Sequence, residues 1–218
     1  MKIQVEFMRA DGTRPRNANG RVSRHLRSPV FAFLGLRPVM AHHTREEDEL
    51  LRQAAAGRRC IVEIGVAEGA SAAALRSAMA LDGTLYLIDP FHLSRWKPMN
   101  GMKRTAGRAV GTASRGQVVW IEKFSDDAIS GWNTPIDLLF VDGDHQEEAV
   151  ARDWKNWSRF VVAGGLAVFH DARVFEGGWT APDWGPVRLV NRLFRNGGTP
   201  GWRIVREVHS TVVVESVR

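Results

Sequence analysis

The sequence predicts an α/β protein with a doubly wound, seven-stranded sheet that is mainly parallel and ends in an antiparallel hairpin. Two observations lead to this fold class. From Cys60 onwards, short apolar runs alternate with helical patterns, which is typical of right-handed β–α–β crossovers. Near the C-terminus, only a few residues around His209 separate two strand-like runs, so these runs must pair as an antiparallel hairpin.

The elements follow in order along the chain. Thr44 and Glu47 have the spacing of a capping box, which predicts a helix from there to about Ala56, ended by Gly57. The other helices are predicted at residues 70–81, 102–114, 125–130, 146–160 and 186–195. The strands are predicted at residues 60–65, 84–89, 117–122, 136–142, 165–170, 202–208 and 211–217.

Two parts of the chain differ in pattern. Residues 1–40 lack clean periodicity and form an N-terminal arm, whereas residues 41–218 form one domain. The arm carries an apolar segment, Val30–Leu34, which a small domain should not leave exposed. We expect the arm to act as a lid, as a contact in a homodimer, or as simple packing onto the domain.

Length and composition argue against several classes of protein. The chain has 218 residues, enough for one domain with a sizeable core. No apolar run approaches the ~18 residues that span a bilayer, and the N-terminus lacks the apolar core of a signal peptide, so we expect a cytoplasmic protein. The net charge is +6, but the arginines are scattered and form no stripe of the kind expected of a nucleic-acid binder.

A glycine-rich turn after the first strand of the domain suggests a nucleotide-like cofactor. The pattern Glu63-x-Gly65-x-x-x-Gly69 opens a helix, where glycines allow close backbone approach and N-terminal amides favour an anionic group. The spacing differs from the dinucleotide pattern, because Glu68 occupies the position of its middle glycine. Asp89 ends the next strand, where it can bind both ribose hydroxyls of a nucleoside or simply form the turn before a proline.

These motifs and the closing hairpin resemble the class I S-adenosylmethionine-dependent methyltransferases over roughly residues 44–217. The resemblance implies a Rossmann-like fold in which the glycine turn meets the methionine part of S-adenosylmethionine and Asp89 meets the ribose. It places Glu63 at the loop or the methionine amine, and Ser125 near the adenine, although Ser125 also fits a helix N-cap. The implied cofactor-binding residues are Glu63, Gly65, Ala67, Gly69, Ser71, Asp89, Ser125 and Asp142.

Two later strand ends carry the residues expected to do the chemistry. Asp142, Asp144 and His145 follow one apolar run, and His170 and Asp171 follow another. Strands of a parallel sheet end at the same edge, so these side chains should meet. The combined pattern resembles metal-dependent sugar and small-molecule O-methyltransferases. The resemblance implies that Asp142, His170 and Asp171 hold a divalent cation, Mg²⁺ or Mn²⁺, and that Asp142 and His145 are catalytic, with His145 as the general base.

Some of these positions have a second interpretation. Many metal-using relatives carry a carboxylate where this chain has His170, so His170 and Asp171 can also be a hydrogen-bonded pair behind the site. Asp144 fits a turn-forming carboxylate, and Asp153 fits a structural one. The chemistry itself is consistent: a divalent cation lowers the pKa of a hydroxyl, and a histidine with a pKa near ~6.5 can take the proton.

Aromatic residues suggest the acceptor. Trp96, Trp179 and Trp184 lie in loops that border the acceptor pocket in this fold, and flat aromatic faces suit sugar rings and aromatic acceptors alike. We predict methyl transfer to a hydroxyl of a sugar or glycoside, either a small molecule or an oligosaccharide. The alternative is a phenolic or catechol-like natural product, and the remote alternatives are a non-catalytic nucleotide-binding module and an NAD-dependent oxidoreductase.

His42 and His43 either touch a ligand or are solvated or capping residues.

Overall fold

A computed structural model describes residues 3–13, 29–91, 100–196 and 198–218, and Trp96 lies outside this part of the chain. Seven strands form one sheet in the order β5-β4-β3-β6-β7-β9-β8. They are β3 (Cys60–Ile64), β4 (Thr84–Ile88), β5 (Gln117–Ile121), β6 (Ile136–Val141), β7 (Val161–Phe169), β8 (Trp202–Val208) and β9 (Thr211–Ser216). The first five are parallel, and β9 runs antiparallel to both β7 and β8. The predicted Rossmann-like sheet with its C-terminal hairpin is confirmed.

Helices cover both faces of this sheet. They are α1 (Pro29–Phe33), α2 (Arg45–Ala55), α3 (Ala70–Ala78), α4 (Gly101–Val110), α5 (Ser125–Ala128), α6 (Glu147–Trp157) and α7 (Gly185–Val190). The capping box at the start of α2 is present as predicted, because the Thr44 side chain and the Glu47 side chain each accept from the other residue's backbone N–H. The predicted helix at 186–195 instead divides into α7 and a π-helical turn, Asn191–Arg195.

Two apolar clusters pack against the sheet. One joins β3, β4 and β6 to α2 and α3, with Leu51 and Leu75 fully buried. The other joins β6, β7 and β9 to α6, where Trp157 and Phe169 are fully buried. A sheet covered on both faces explains why its parallel strands are almost continuously apolar.

The strand register decides where the polar residues meet. Ile64 pairs with Ile88 on one side and Val141 on the other, and Val141 pairs with Phe169. The residue after each strand therefore lies on one edge, in the order of β4, β3, β6 and β7. These four residues are Asp89, Gly65, Asp142 and His170.

The described parts of the arm pack onto the domain. A two-stranded parallel sheet joins β1 (Val5–Glu6) to β2 (Val39–Met40), and Met8 N–H donates to the His43 carbonyl at 3.1 Å. Helix α1 lies against α4, where Ala32 is buried but Val30 and Leu34 stay exposed. Among the described residues, no helix is long and apolar enough to cross a membrane.

Candidate active site

One large cavity opens along the edge of the sheet where the parallel strands end. Its volume is about 820 Å³. The glycine turn and Asp89 line one part of it, while His145 and Trp184 line another. The arm contributes Met8 and Met40 to the wall, and His42 and His43 at the start of the domain line it too. All of the predicted cofactor-binding residues except Glu63 line this cavity, and so do the predicted catalytic residues Asp142 and His145.

The glycine turn tolerates no side chain at its two glycines. Gly65 has φ +86°, and a Cβ there would lie 2.1 Å from the carbonyl oxygen of Asp142. Gly69 has φ +81° and precedes α3, and its Cβ would lie 2.8 Å from Cα of Ala106. Both the backbone conformation and the close packing require glycine. Ala67 between them also has positive φ, +47°, so the turn is held in a conformation that its sequence alone would not favour.

Asp89 holds the shape of this turn. Its Oδ2 accepts hydrogen bonds from the backbone N–H groups of Val66, at 2.9 Å, and Ala67, at 3.1 Å. Its Oδ1 accepts from the N–H of Phe91 at 2.7 Å. The residue thus forms the turn that follows β4 and at the same time fixes the neighbouring glycine turn. It lines the cavity as well, where Oδ1 retains a further lone pair.

Glu63 lies beneath the glycine turn and is fully buried. Its Oε1 accepts a hydrogen bond from the Ser71 hydroxyl, and its Oε2 has no hydrogen-bond partner among the described residues. Burial raises the pKa of Glu63 well above its usual value, and the nearby Asp142 and Asp89 carboxylates add to the rise, although the Ser71 hydrogen bond opposes it. A buried oxygen without a partner is uncommon, and here it lies behind the predicted methionine end of the cofactor site.

Glu68 connects the glycine turn to the arm. Both of its oxygens accept from the Arg37 guanidinium, one of them at 2.8 Å, and the Met40 N–H donates to it at 2.9 Å. The side chains of Arg37 and Glu68 are only 9% and 6% exposed. The residue that departs from the dinucleotide pattern is therefore the partner of a buried, two-pronged ion pair.

Ser125 lines the cavity as the first residue of α5. The N-cap of that helix is Phe124, so the interpretation of Ser125 as an N-cap is wrong. Its hydroxyl donates instead to Oδ1 of Asp153 on α6. Burial raises the pKa of Asp153 to about 6, and the Asp126 carboxylate adds to the rise. Both Ser125 and Asp153 line the cavity.

His145 is the most accessible of the predicted catalytic groups, with 43% of its side chain exposed. Its Nε2 lies 3.0 Å from Oδ2 of Asp171. That hydrogen bond, assisted by the Asp142 charge and opposed by partial burial, raises the pKa of His145 above its usual value. Asp171 also accepts from Trp179 Nε1 at 2.7 Å, and its φ of +52° is rare for a residue other than glycine. Backbone strain of this kind clusters at functional sites.

His170 is buried behind this pair, with only 2% of its side chain exposed. Its Nδ1 lies 3.2 Å from Oδ1 of Asp142 and 3.6 Å from Oδ1 of Asp171, and its Nε2 lies 3.9 Å from Oε2 of Glu47. Burial alone would lower the pKa of His170, but the surrounding carboxylates raise it well above its usual value. The buried ring is therefore enclosed by three acids from three different elements.

These residues do not fit a divalent cation as they stand. In the described part of the chain, no three His, Cys, Asp or Glu side chains are placed so that they could hold a metal ion. Asp142 faces a ring nitrogen of His170, and both oxygens of Asp171 accept from Trp179 and His145. The second interpretation of His170, as a hydrogen-bonded residue behind the site, agrees with this geometry.

A second cavity of about 530 Å³ adjoins the first. His145, Asp171 and Trp184 line both cavities. The His145 and Trp184 rings meet edge to face, with centroids 6.0 Å apart. Gly185 packs so closely on the backbone of residues 145–147 that a Cβ would lie 2.3 Å from the His145 carbonyl oxygen. An acceptor in the second cavity could therefore reach His145 while a cofactor occupies the first.

Three other sequence interpretations can be compared with the structure. Asp144 forms a turn, because its Oδ1 accepts from the Gln146 N–H at 2.9 Å. His42 is exposed at the cavity wall. His43 is only 3% exposed and contacts Asp48 at 3.2 Å, so its interpretation as a solvated residue is wrong.

Sequence reasoning missed Glu47 as part of this region. It is recognisable as a capping-box residue, but its Oε1 also accepts from the Ser210 N–H, the Ser210 hydroxyl and the Thr211 hydroxyl. Its other oxygen accepts from Thr44. Burial would raise the pKa of Glu47, but the His170 ring and these hydrogen bonds hold it well below its usual range. No local pattern could have shown that the β8–β9 turn would meet this helix.

The fold is similar to that of several solved methyltransferases. The O-methyltransferase TomG from Streptomyces achromogenes, solved in complex with SAM, is 18% identical, with 91% of this chain and 92% of that chain covered and a TM-score of 0.62. An O-methyltransferase from Bacillus cereus in complex with SAH is 16% identical, with 89% and 93% covered and a TM-score of 0.57. The N-methyltransferase NodS from Bradyrhizobium japonicum is 15% identical, with 80% and 87% covered and a TM-score of 0.52.

The sequence itself also matches a family of known proteins. A family model described as a methyltransferase domain matches residues 62–172, just over half of the chain. The matched span begins in β3 and includes the glycine turn, Asp89, Asp142, His145 and His170. The chain therefore belongs to this family of methyltransferase domains.

Proposed function

We propose that this protein is an O-methyltransferase that moves the methyl group of S-adenosylmethionine to a hydroxyl of a sugar or glycoside. The proposal rests on one observation: the glycine turn and the His145–Asp171 pair line the same cavity. A cofactor on the turn and an acceptor hydroxyl at His145 can occupy it together. SAM and SAH in the TomG and Bacillus cereus structures support the choice of cofactor.

The cofactor occupies the part of the cavity above β3 and β4. The turn admits the methionine part because Gly65 and Gly69 carry no side chain there, and the buried Glu63 and Ser71 lie below it. Oδ1 of Asp89 accepts from a ribose hydroxyl while the carboxylate keeps the turn in shape. Ser125 lies at the adenine end.

His145 acts as the general base. Because Nε2–H donates to Asp171, Nδ1 carries the lone pair that accepts the proton of the acceptor hydroxyl. The oxygen attacks the methyl carbon, the carbon–sulfur bond breaks, and S-adenosylhomocysteine leaves with the bonding electron pair. Asp171 stabilises the imidazolium that forms, and the close placement of the reacting groups supplies much of the rate. No step requires a metal ion, so the divalent cation that the sequence predicts stays outside this proposal.

Two indole rings favour a flat acceptor. Trp179 and Trp184 flank Asp171 and His145 and line the first cavity, and Trp184 also lines the second. A sugar ring can stack on such faces while its hydroxyl points at His145. We also propose that the described part of the arm (residues 1–40) borders the acceptor side, because Gly12 packs against Trp179 and Met8 lines the cavity.

The test is an acceptor screen with methyl-labelled S-adenosylmethionine, run with and without a chelator. Monosaccharides, glycosides, phenols and amines form the panel, and the His145→Ala chain is the control for non-enzymatic transfer. Labelled O-methyl sugar that depends on His145 is the expected result. Label transferred only to phenols or only to amines would replace the sugar assignment, and no binding of S-adenosylmethionine would remove the whole proposal.

A further inference from the structure

The contacts of His170 indicate whether a divalent cation can lie between Asp142 and Asp171. Its Nδ1 approaches one oxygen of Asp142, at 3.2 Å, and one oxygen of Asp171, at 3.6 Å. A divalent cation shared by these carboxylates would need their oxygens within about 2.0–2.6 Å of it. We propose that the ring N–H of His170 takes the place of a metal ion between Asp142 and Asp171, and that His170 is a positioning residue for the catalytic pair.

The ring is fixed in this place from several sides. Nε2 faces Glu47, whose carboxylate is fully buried and receives hydrogen bonds from Thr44, Ser210 and Thr211. The His43 ring lies edge-on, with its centroid 6.4 Å from that of His170. Rotation of the ring away from Asp142 would move its Nε2 edge away from Glu47. The described surroundings therefore favour the orientation that closes the gap between the two aspartates.

The other contacts of Asp171 also supply hydrogen-bond donors in place of a cation. Trp179 Nε1 and His145 Nε2 lie at 2.7 Å and 3.0 Å from its two oxygens. Three nitrogen-bearing rings thus surround the Asp171 carboxylate. Hydrogen-bond donors satisfy a buried carboxylate as a cation would, so the Asp171 carboxylate has partners without a cation.

The consequence for catalysis rests on the proposed function. Nδ1 of His170 is hydrogen-bonded to Asp142 at 3.2 Å and lies 3.6 Å from Asp171, and Asp171 holds His145 in front. Loss of the His170 N–H would free Asp142 and remove the neighbour between the two carboxylates, so that both can shift and the His145 ring loses its orientation. We expect this to lower kcat and to leave the binding of S-adenosylmethionine nearly unchanged, because the glycine turn and Asp89 do not contact the His170 ring.

The first experiment measures metal binding directly and needs no turnover. The full chain is titrated with Mn²⁺ and followed by electron paramagnetic resonance of the free hexaaqua ion, with and without S-adenosylhomocysteine. We expect no Mn²⁺ site that depends on Asp142. Bound Mn²⁺ that is released by an Asp142→Asn substitution would overturn the proposal, whereas Mn²⁺ that persists in that variant binds elsewhere and leaves it intact.

A gain of binding is the complementary test. His170→Glu replaces the N–H donor by a third carboxylate beside Asp142 and Asp171, and oxygen ligands are those that Mn²⁺ and Mg²⁺ take. We expect this chain to bind Mn²⁺ and to melt at a higher temperature when Mn²⁺ is added. A folded His170→Glu chain that binds no Mn²⁺ would show that the histidine does not occupy a cation position.

The positioning role is tested by a matched pair of variants. The amide of His170→Asn can still donate to Asp142, whereas His170→Leu cannot donate. We expect the leucine variant to lose kcat by up to about 10²-fold and the asparagine variant to retain most of it, with the Kd of S-adenosylmethionine unchanged in both. Equal losses in the two variants would refute the role of the donor. If the chain methylates nothing in the screen, the Mn²⁺ results still decide the proposal.

Discussion

Nε2 of His145 lies 3.0 Å from Oδ2 of Asp171, although the two residues follow different strands. The neighbouring register of β6 and β7 brings them together. The contact leaves Nδ1 of His145 directed away from the carboxylate, in a side chain that is 43% exposed. A histidine held at one nitrogen and open at the other has the geometry of a general base.

We expect His145→Ala to lower kcat by ~10²–10⁴ and to leave the Kd of S-adenosylmethionine nearly unchanged. A base works only when deprotonated, and the pKa of His145 lies above its usual value, so kcat/KM of the unchanged chain should rise with pH through an apparent pKa above the usual histidine range. Asp171→Asn removes the main cause of the shift and should move this limb to lower pH. Steady-state kinetics across pH measure both effects. Loss of cofactor binding in His145→Ala with kcat retained would make His145 a structural residue.

We expect Asp89→Ala to weaken S-adenosylmethionine binding by about 1.5–3 kcal/mol, because it removes a ribose partner and frees the N–H groups of Val66 and Ala67. Asp137→Ala is a matched control. Asp137 also accepts from two backbone N–H groups, those of Arg59 and Cys60, but at the opposite end of β3. Isothermal titration should show weakened binding for the first variant alone. Equal losses in both would indicate a general effect on the sheet.

We expect Arg37→Met to destabilise the chain by about 3–5 kcal/mol, because it leaves the buried Glu68 carboxylate without its bidentate partner. The double variant Arg37→Met with Glu68→Met should lose less than the sum of the single changes. Arg59→Met is the control, since the Arg59–Asp82 pair is mostly exposed and should contribute less than about 1 kcal/mol. Urea denaturation measures all four. A loss for Arg37→Met no larger than for Arg59→Met would show that the buried pair is weak.

These contacts show which parts of the molecule the sequence could predict. The sheet, the hairpin and the start of α2 follow from local patterns, and the strand ends had to converge because parallel strands share an edge. The partners of individual side chains depended on packing between distant segments. In the sequence Glu47 is only a capping residue, and the folded chain adds the β8–β9 turn as its partner. In the sequence Glu68 is only a departure from a motif, and the folded chain pairs it with Arg37. His170 fits a metal ligand by position, but three carboxylates around its ring set its surroundings.

We expect Gly12→Ala to lower kcat several-fold or more while the Kd of S-adenosylmethionine stays unchanged. Gly12 has φ +75°, and a Cβ there would lie 2.8 Å from Cβ of Trp179, the residue that donates to Asp171. Gly131→Ala is a matched control, since its φ is +78° and nothing lies within 4 Å of its Cβ. Both variants should lose some stability, but only Gly12→Ala should lose kcat. Equal kinetics in the two would argue against an arm that supports the acceptor side.

We expect Asp153→Asn to stabilise the chain above pH 6. The pKa of Asp153 is about 6 in the folded chain against a usual value of 3.8, so the folded state binds more protons than the unfolded state between these values. The free energy of unfolding of the unchanged chain therefore falls as pH rises from about 4 to 6, relative to a variant that cannot ionise.

The difference between the two chains should be small at pH 4, grow through pH 6, and level off at no more than about 3 kcal/mol. Asn keeps an oxygen that accepts from the Ser125 hydroxyl, so that contact is preserved. Asp127→Asn is the control, because Asp127 is exposed and should give a small difference at every pH. Thermal and urea unfolding at several pH values measure these differences. A difference that does not vary with pH would mean that Asp153 is ionised throughout, because the Ser125 hydrogen bond and nearby Arg152 would then outweigh burial.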